Sequence, residues 1–354
     1  MLLCSLIWGL LGVLTACQAS CGDSTHCLSS NYRIDVHSHV VPPVWKQAMI
    51  SAGYPVKNGT LYADGFPVPD WTLEGHISTM DSLGINYSTI SVSAPGVFFV
   101  QDPTRAKSLA RSINLLLFSY ARAHPSRLGA LCLLPLPFVN EAVDELKFCL
   151  DSLKFVGVGL YTNANGTYLG DSALDPVLSA LEERNASVFV HPAAPGCTAV
   201  TLGYPIPMSE YPFDTVRAME NMLLSGQRAK YPDLKMIFAH GGGAMPYLAT
   251  RISGMASLAW LGGLSVTESM AQLAGYYFDT ASAASALQLT ALKSFIGADQ
   301  IVTGTDYPYV PFAQAEPALA AIKTNGNFST RDMCHINHRN ALEVFPRIKR
   351  ILGI

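Results

Sequence analysis

The run RIDVHSHVVPP, residues 33–43, places two histidines, His37 and His39, one residue apart. Alternate residues of a β-strand point to one face, so both imidazoles project together with Asp35 in line behind them. Two neighbouring imidazoles can hold a metal ion or be unrelated polar groups, and the pair alone decides nothing. Three more chemistry-bearing residues stand in comparable places. His191 closes SVFVH, His240 closes KMIFAH ahead of three glycines, and Asp306 follows QIVTGT. Neutral imidazole and carboxylate are the donor set of a catalytic zinc-like ion that keeps a position open to water or substrate. Three histidines and one aspartate fill one such site. A fourth histidine is then free to move a proton or orient a bound water.

These residues need elements to bring them together. Short apolar or β-branched runs at 33–38, 87–93, 128–134, 155–160, 187–191, 235–240, 276–280 and 300–305 read as strands. Helical patterns lie between them. Asp102-Pro103 supplies an N-cap and a first-turn proline for a long helix ending near His124-Pro125. Asn140 precedes a second helix, and Asp171–Arg184 and Tyr211–Gln227 read as further ones. Eight strands alternating with helices predict a (β/α)8 TIM barrel. A doubly wound open sheet is the alternative, but the first strand is followed by no Gly-rich phosphate turn. Chemistry in such a barrel sits at the C-terminal ends of the strands. Four of the nine histidines and Asp306 fall there. His76, His124, His335 and His338 lie in helical stretches and read as surface or satisfied core residues.

Composition bounds the rest. The 354 residues are 49% hydrophobic and 14% charged, with a net charge of −3. That is enough apolar matter for a large core, and with no basic run it argues against nucleic acid or an anionic membrane surface as partner. The first 20 residues are apolar and end in small side chains, as a secretory signal does, although no Lys or Arg precedes them. An uncleaved anchor is the other reading. Once the signal is removed, no stable membrane span is expected. Five N-x-S/T sequons, at Asn58, Asn86, Asn165, Asn185 and Asn327, agree with passage through the secretory pathway. A cytoplasmic location is the alternative. The eight cysteines form no C-x-x-C pair, so a cysteine zinc site is not expected. A Cys21–Cys27 disulfide is possible, and Cys132 and Cys149 read as buried free thiols.

The stretches DVHSHVVPP, VFVHP, IFAHGGGAMPYLATRI, TGTDYP and NHRNALEVF resemble the amidohydrolase superfamily, and more closely its aminocarboxymuconate-semialdehyde decarboxylase-like branch. The resemblance spans residues 33–348 and makes 21–354 a single barrel domain. It implies a metal-dependent, non-oxidative decarboxylase. His37, His39, His191 and Asp306 would be the metal ligands, and His240 the acid/base, acting with Asp306. Arg251, eleven residues past that histidine, would bind the substrate carboxylate, reaching the neighbouring subunit's site in a homodimer. The fourth predicted strand ends without the lysine that dinuclear relatives carbamylate, so one divalent ion is expected, zinc by ligand type, with manganese also compatible. The muconate-semialdehyde enzymes of that branch carry another substrate arginine after the first strand, and here no arginine occurs between Arg33 and Arg105. A single carboxylate on a small aromatic acid therefore fits better than two, with 6-methylsalicylate (to m-cresol) or a related hydroxybenzoate as the expected substrate. Phe98, Phe99, Tyr307 and Tyr309 are candidates to wall a flat ring, although for any one of them core or lid packing is the more common role. A metal-dependent hydrolase of an amide or lactone is the alternative function.

Overall fold

The computed structural model describes residues 28, 29 and 31–354. The expected signal segment and the expected Cys21–Cys27 disulfide lie outside the described residues. All eight expected strands form: β1 (Ile34–Val40), β2 (Tyr87–Val92), β3 (Leu128–Leu133), β4 (Gly157–Tyr161), β5 (Val188–His191), β6 (Met236–Phe238), β7 (Tyr277–Asp279) and β8 (Ile301–Val302). They pair in chain order in one parallel sheet. The sheet closes on itself where β1 meets the chain leaving β8. Val36 N donates to Thr303 O at 2.9 Å, Asp306 N to His37 O at 2.8 Å and His39 N to Tyr307 O at 2.7 Å. Asp35 ties the same seam, its carboxylate accepting from Thr305 N and Thr305 Oγ1. It points to this seam rather than to the imidazoles ahead of it.

β1 is not regular. Asp35 pairs with Ser88 but Ser38 pairs with Ile90, so one extra residue is accommodated between them. Such a bulge bends a strand and re-aims its side chains. Here it falls at the residue that carries His37.

The helices follow the sequence signals with two differences. Pro103–Ala123 begins on the Asp102 cap, whose side chain accepts from Arg105 N. The helix expected from Tyr211 starts earlier, at Ile206, and carries Pro212 inside it. Proline fits a first turn but breaks an interior ladder bond, which is why the pattern alone starts at Tyr211 and puts Pro212 in the first turn. The helix from Val139 continues past Lys147 as a wider turn over Phe148–Ser152.

The barrel floor is plugged by the C-terminal helices Asn340–Val344 and Pro346–Leu352. Ala341, Val344, Phe345 and Ile348 pack with the inward residues Ile34, Val36, Tyr87, Phe189, Ile237 and Val302. A larger apolar layer joins the strands to the surrounding helices. Over the mouth lies a small antiparallel insert of Val56–Lys57, Thr60–Ala63 and Phe66–Pro67. It is pinned to the helix Ile206–Leu224 by Tyr211 Oη donating to Asp64 Oδ2 at 2.6 Å. Cys132 and Cys149 are buried free thiols, as expected. Cys334 is disulfide-bonded. Among the described residues no helix is long and apolar enough to cross a membrane.

Candidate metal centre

The strand ends deliver His37, His39, His191 and Asp306 to one point: one donor atom from each lies within 4.8 Å of all the others. All four residues are buried. Asp306 Oδ1 is 3.3 Å from His37 Nε2 and 3.2 Å from His39 Nε2. Two local backbone features aim the carboxylate. Asp306 has a positive φ of 63°, a conformation few residue types other than glycine, asparagine and aspartate adopt, and its N–H is bonded to His37 O.

The far side of each imidazole is tied down. His37 Nδ1 donates to Asp279 Oδ2 at 2.8 Å. His191 Nδ1 donates to Pro192 O at 2.7 Å, since a carbonyl can only accept. Ser91 Oγ spends its proton on Ser38 O, so it accepts from His39 Nδ1 at 3.0 Å. All three protons therefore sit on Nδ1, and all three Nε2 lone pairs face inward. Outer partners of this kind fix the tautomer and orientation of metal-binding histidines.

That arrangement needs a cation. His37 Nε2 and His39 Nε2 stand 3.0 Å apart, two lone pairs facing each other. Asp306 Oδ1 is buried with no hydrogen-bond partner. The ionisation of the groups says the same. Burial disfavours a charge on His37, yet the Asp279 and Asp306 carboxylates outweigh it and push the imidazole up to about 10. Burial brings His39 down to about 4 and His191 well below the usual range. Burial alone would raise Asp306, but His37, His240 and His39 hold it well below the ordinary carboxylate range. The pocket thus pairs two neutral imidazoles with a carboxylate and places surplus negative charge beside the third imidazole. A divalent ion satisfies all four donors at once, and the residues present fit one.

His240 stands at the rim. Its Nε2 is 3.4 Å from Asp306 Oδ2, and its ring centroid lies 5.0 Å from that of His37 and 5.4 Å from that of His191. Its backbone φ is +56°, followed by three glycines that are also positive. The close packing explains the glycines. A Cβ on Gly243 would come within 2.3 Å of Pro212 O, and one on Gly242 within 2.5 Å of the Phe278 ring.

Asp279 was not singled out from the sequence. Its Oδ2 takes the His37 proton, while Oδ1 accepts from His240 N at 3.0 Å and Ala281 N at 2.9 Å. One carboxylate therefore holds both a ligand imidazole and the loop of the acid/base histidine. The available signal was an acid at the end of the seventh predicted strand.

Tyr309 stands edge-on to His39, with centroids 5.5 Å apart, and Tyr211 stands edge-on to His191 at 5.7 Å. Phe66 of the mouth insert lies 6.4 Å from the Tyr309 ring. The Tyr309 hydroxyl is buried, with the Ser93 side chain beside it. The other aromatic candidates pack elsewhere: Tyr307 on His76, Phe98 on Tyr161 and Phe99 on Tyr54. His76 is a satisfied core histidine, accepting from Trp71 Nε1. His338 is likewise buried, donating to Tyr32 O. Arg251 is exposed on the helix Met245–Ala256 and makes no hydrogen bond or ion pair among the described residues.

A closed parallel barrel with three histidines and an aspartate clustered at the C-terminal ends of its strands defines a metal-dependent barrel enzyme. The chain belongs to the amidohydrolase family, whose pattern it matches over residues 34–347. It is 34% identical to a decarboxylase of Penicillium terrestre, macB, over 90% of this chain and 96% of the relative. It is 33% identical to 6-methylsalicylic acid decarboxylase of Penicillium expansum, over 90% and 98%. The dihydroxybenzoic acid decarboxylase of a Polaromonas species, solved with manganese and the inhibitor 2-nitroresorcinol, shares the fold. Its TM-score is 0.74 at 23% identity, covering 89% of this chain and 97% of that one. With these relatives the chain is an enzyme of the carboxy-lyase class, a decarboxylase.

Proposed function

We propose that the protein decarboxylates a small hydroxylated aromatic monocarboxylate, 6-methylsalicylate or a close analogue, to the corresponding phenol. The observation that carries this reading is the single cluster of three histidines and one aspartate, with His240 on the outer oxygen of Asp306. The relatives named above support the substrate class. His37, His39, His191 and Asp306 would hold one divalent ion. Three imidazoles and a carboxylate favour zinc, and manganese is compatible with the same donors. When bound, such an ion supplies a Lewis acid that neutralises charge on the substrate's oxygens.

The chain's own groups do the rest. Tyr309 and Tyr211 stand edge-on to His39 and His191 and would wall the substrate's flat ring. The buried Tyr309 hydroxyl donates to a substrate oxygen, which relieves its own burial. His240 shares a proton with Asp306 Oδ2. The Asp306 carboxyl delivers that proton to the ring carbon bearing the carboxylate. The carbon–carbon bond then breaks, carbon dioxide leaves and the ring regains aromaticity.

Arg251 acts from a second copy of the chain, forming an ion pair with the substrate carboxylate. Its helix lies in an apolar face. Leu202, Tyr204, Met208, Tyr247, Leu258 and Trp260 are all exposed, on elements that pack against one another. An apolar face of this kind marks an association surface. The homodimer covers it.

The test is to incubate the metal-loaded protein with 6-methylsalicylate and measure carbon dioxide and m-cresol. Silence with every hydroxybenzoate, together with turnover of a lactone, overturns the proposal in favour of a hydrolase.

A further inference from the structure

The sequons acquire a pattern once the fold is known. The chain holds thirteen asparagines, five of them in N-x-S/T. All five, Asn58, Asn86, Asn165, Asn185 and Asn327, are exposed. Of the eight others only Asn31 and Asn140 are exposed. Four of the five, Asn58, Asn165, Asn185 and Asn327, also have positive φ, between 45° and 51°, at turns. Asparagine tolerates this conformation, and turns are where a bulky substituent points into water. Asn86 differs: its side chain accepts from Arg33 N, and it lines a groove with Tyr32, Asp81 and Arg127.

The negative side of the pattern is as informative. The segment 202–266, which carries the exposed apolar face, contains no sequon. Sugars on that face would block its burial; sugars on the four turns block nothing described above. A third observation is independent of both. Cys334 is disulfide-bonded, and structural disulfides persist in oxidising compartments.

We propose that Asn58, Asn165, Asn185 and Asn327 carry N-linked glycans, and that the enzyme matures in the secretory pathway. Each transfer joins the asparagine amide nitrogen to the anomeric carbon of a lipid-diphosphate-linked oligosaccharide. The carbon–oxygen bond to the diphosphate breaks, the lipid diphosphate leaves and the amide loses one proton. At Asn165 the substituted amide keeps one N–H, enough for its bond to Phe98 O.

The test is expression of the full chain, leader included, in yeast. Peptide-N-glycosidase treatment in heavy-oxygen water tags each occupied site. The expected result is a gel shift on treatment and tags at these four positions. Asn185→Gln should lose its own tag and no other. Alkylation without prior reduction should leave Cys334 unmodified. The proposal is overturned if the four sites stay untagged while a secreted control from the same cells is modified. Tags at Asn86 alone also overturn it, as does free alkylation of Cys334. None of these readouts depends on catalysis, so they stand or fall apart from the decarboxylase reading.

Discussion

At the scale of single residues the site separates ligands from the groups that aim them. His191→Ala removes one of four donors, so metal and activity should disappear together, read by elemental analysis of the purified protein. His240→Ala should keep the metal and lose turnover, because its imidazole faces Asp306 Oδ2 and not the shared point. Metal loss in that variant would make His240 a ligand. Asp279→Asn is the sharper test. An asparagine keeps an oxygen for His240 N and Ala281 N but turns an N–H toward His37 Nδ1. The His37 proton must then move to Nε2, which withdraws a lone pair from the metal. Metal affinity should fall by about 10- to 100-fold, the usual cost of losing such an outer partner. Unchanged affinity would mean that the tautomer is set elsewhere. The five site residues were legible because each stands at a strand end and chemistry collects there. Asp279 was equally well placed, but besides the nearby Ala281 amide its partners are a ring nitrogen and a backbone amide from distant strand ends. Only coordinates bring those together.

At the scale of elements the strands were legible and their irregularities were not. Alternation marks β1, but nothing in its residues shows the extra one between Asp35 and Ser38. The mouth insert and the early start of the helix at Ile206 were hidden for a related reason: proline reads locally as a breaker, while packing decides otherwise. The role of NHRNALEVF as a floor also needs the fold, since Phe345 is fully buried against inward strand residues. Phe345→Ala should cost about 3–5 kcal/mol in chemical denaturation; a loss below about 1 kcal/mol would mean that the plug is not integral. The helix Leu73–Leu83 gives a pH prediction. Burial, with a smaller push from His39, brings His76 down to about 3. The unfolded chain takes up this proton below about pH 6.5 and the native state does not. Stability contributed above that point is therefore lost as pH falls from 6.5 toward about 3. The loss should reach roughly 2 kcal/mol by about pH 5. His76→Gln can still accept from Trp71 and cannot titrate, so its unfolding midpoint should fall less steeply over that range. An identical slope would assign the acid sensitivity to other groups.

At the scale of the whole molecule the barrel presents two kinds of surface. One bears the sequons; the other is the apolar face around the helix that carries Arg251. Neither was visible as a surface in the sequence, because Leu202, Tyr247 and Trp260 read locally as ordinary core candidates. Their exposures of 84%, 88% and 75% are what single them out. Burying such side chains is worth about 1.5–3 kcal/mol each in transfer terms, so a second copy has a strong reason to cover them. Trp260→Asp puts a charge on that face without touching the barrel core. Light scattering should then report a monomer with native circular dichroism. If Arg251 serves the neighbouring site, that monomer should lose turnover and resemble Arg251→Ala, whose substrate binding weakens. A monomer with full activity would show that each barrel completes its own site, and a dimer that persists would place the interface on another face.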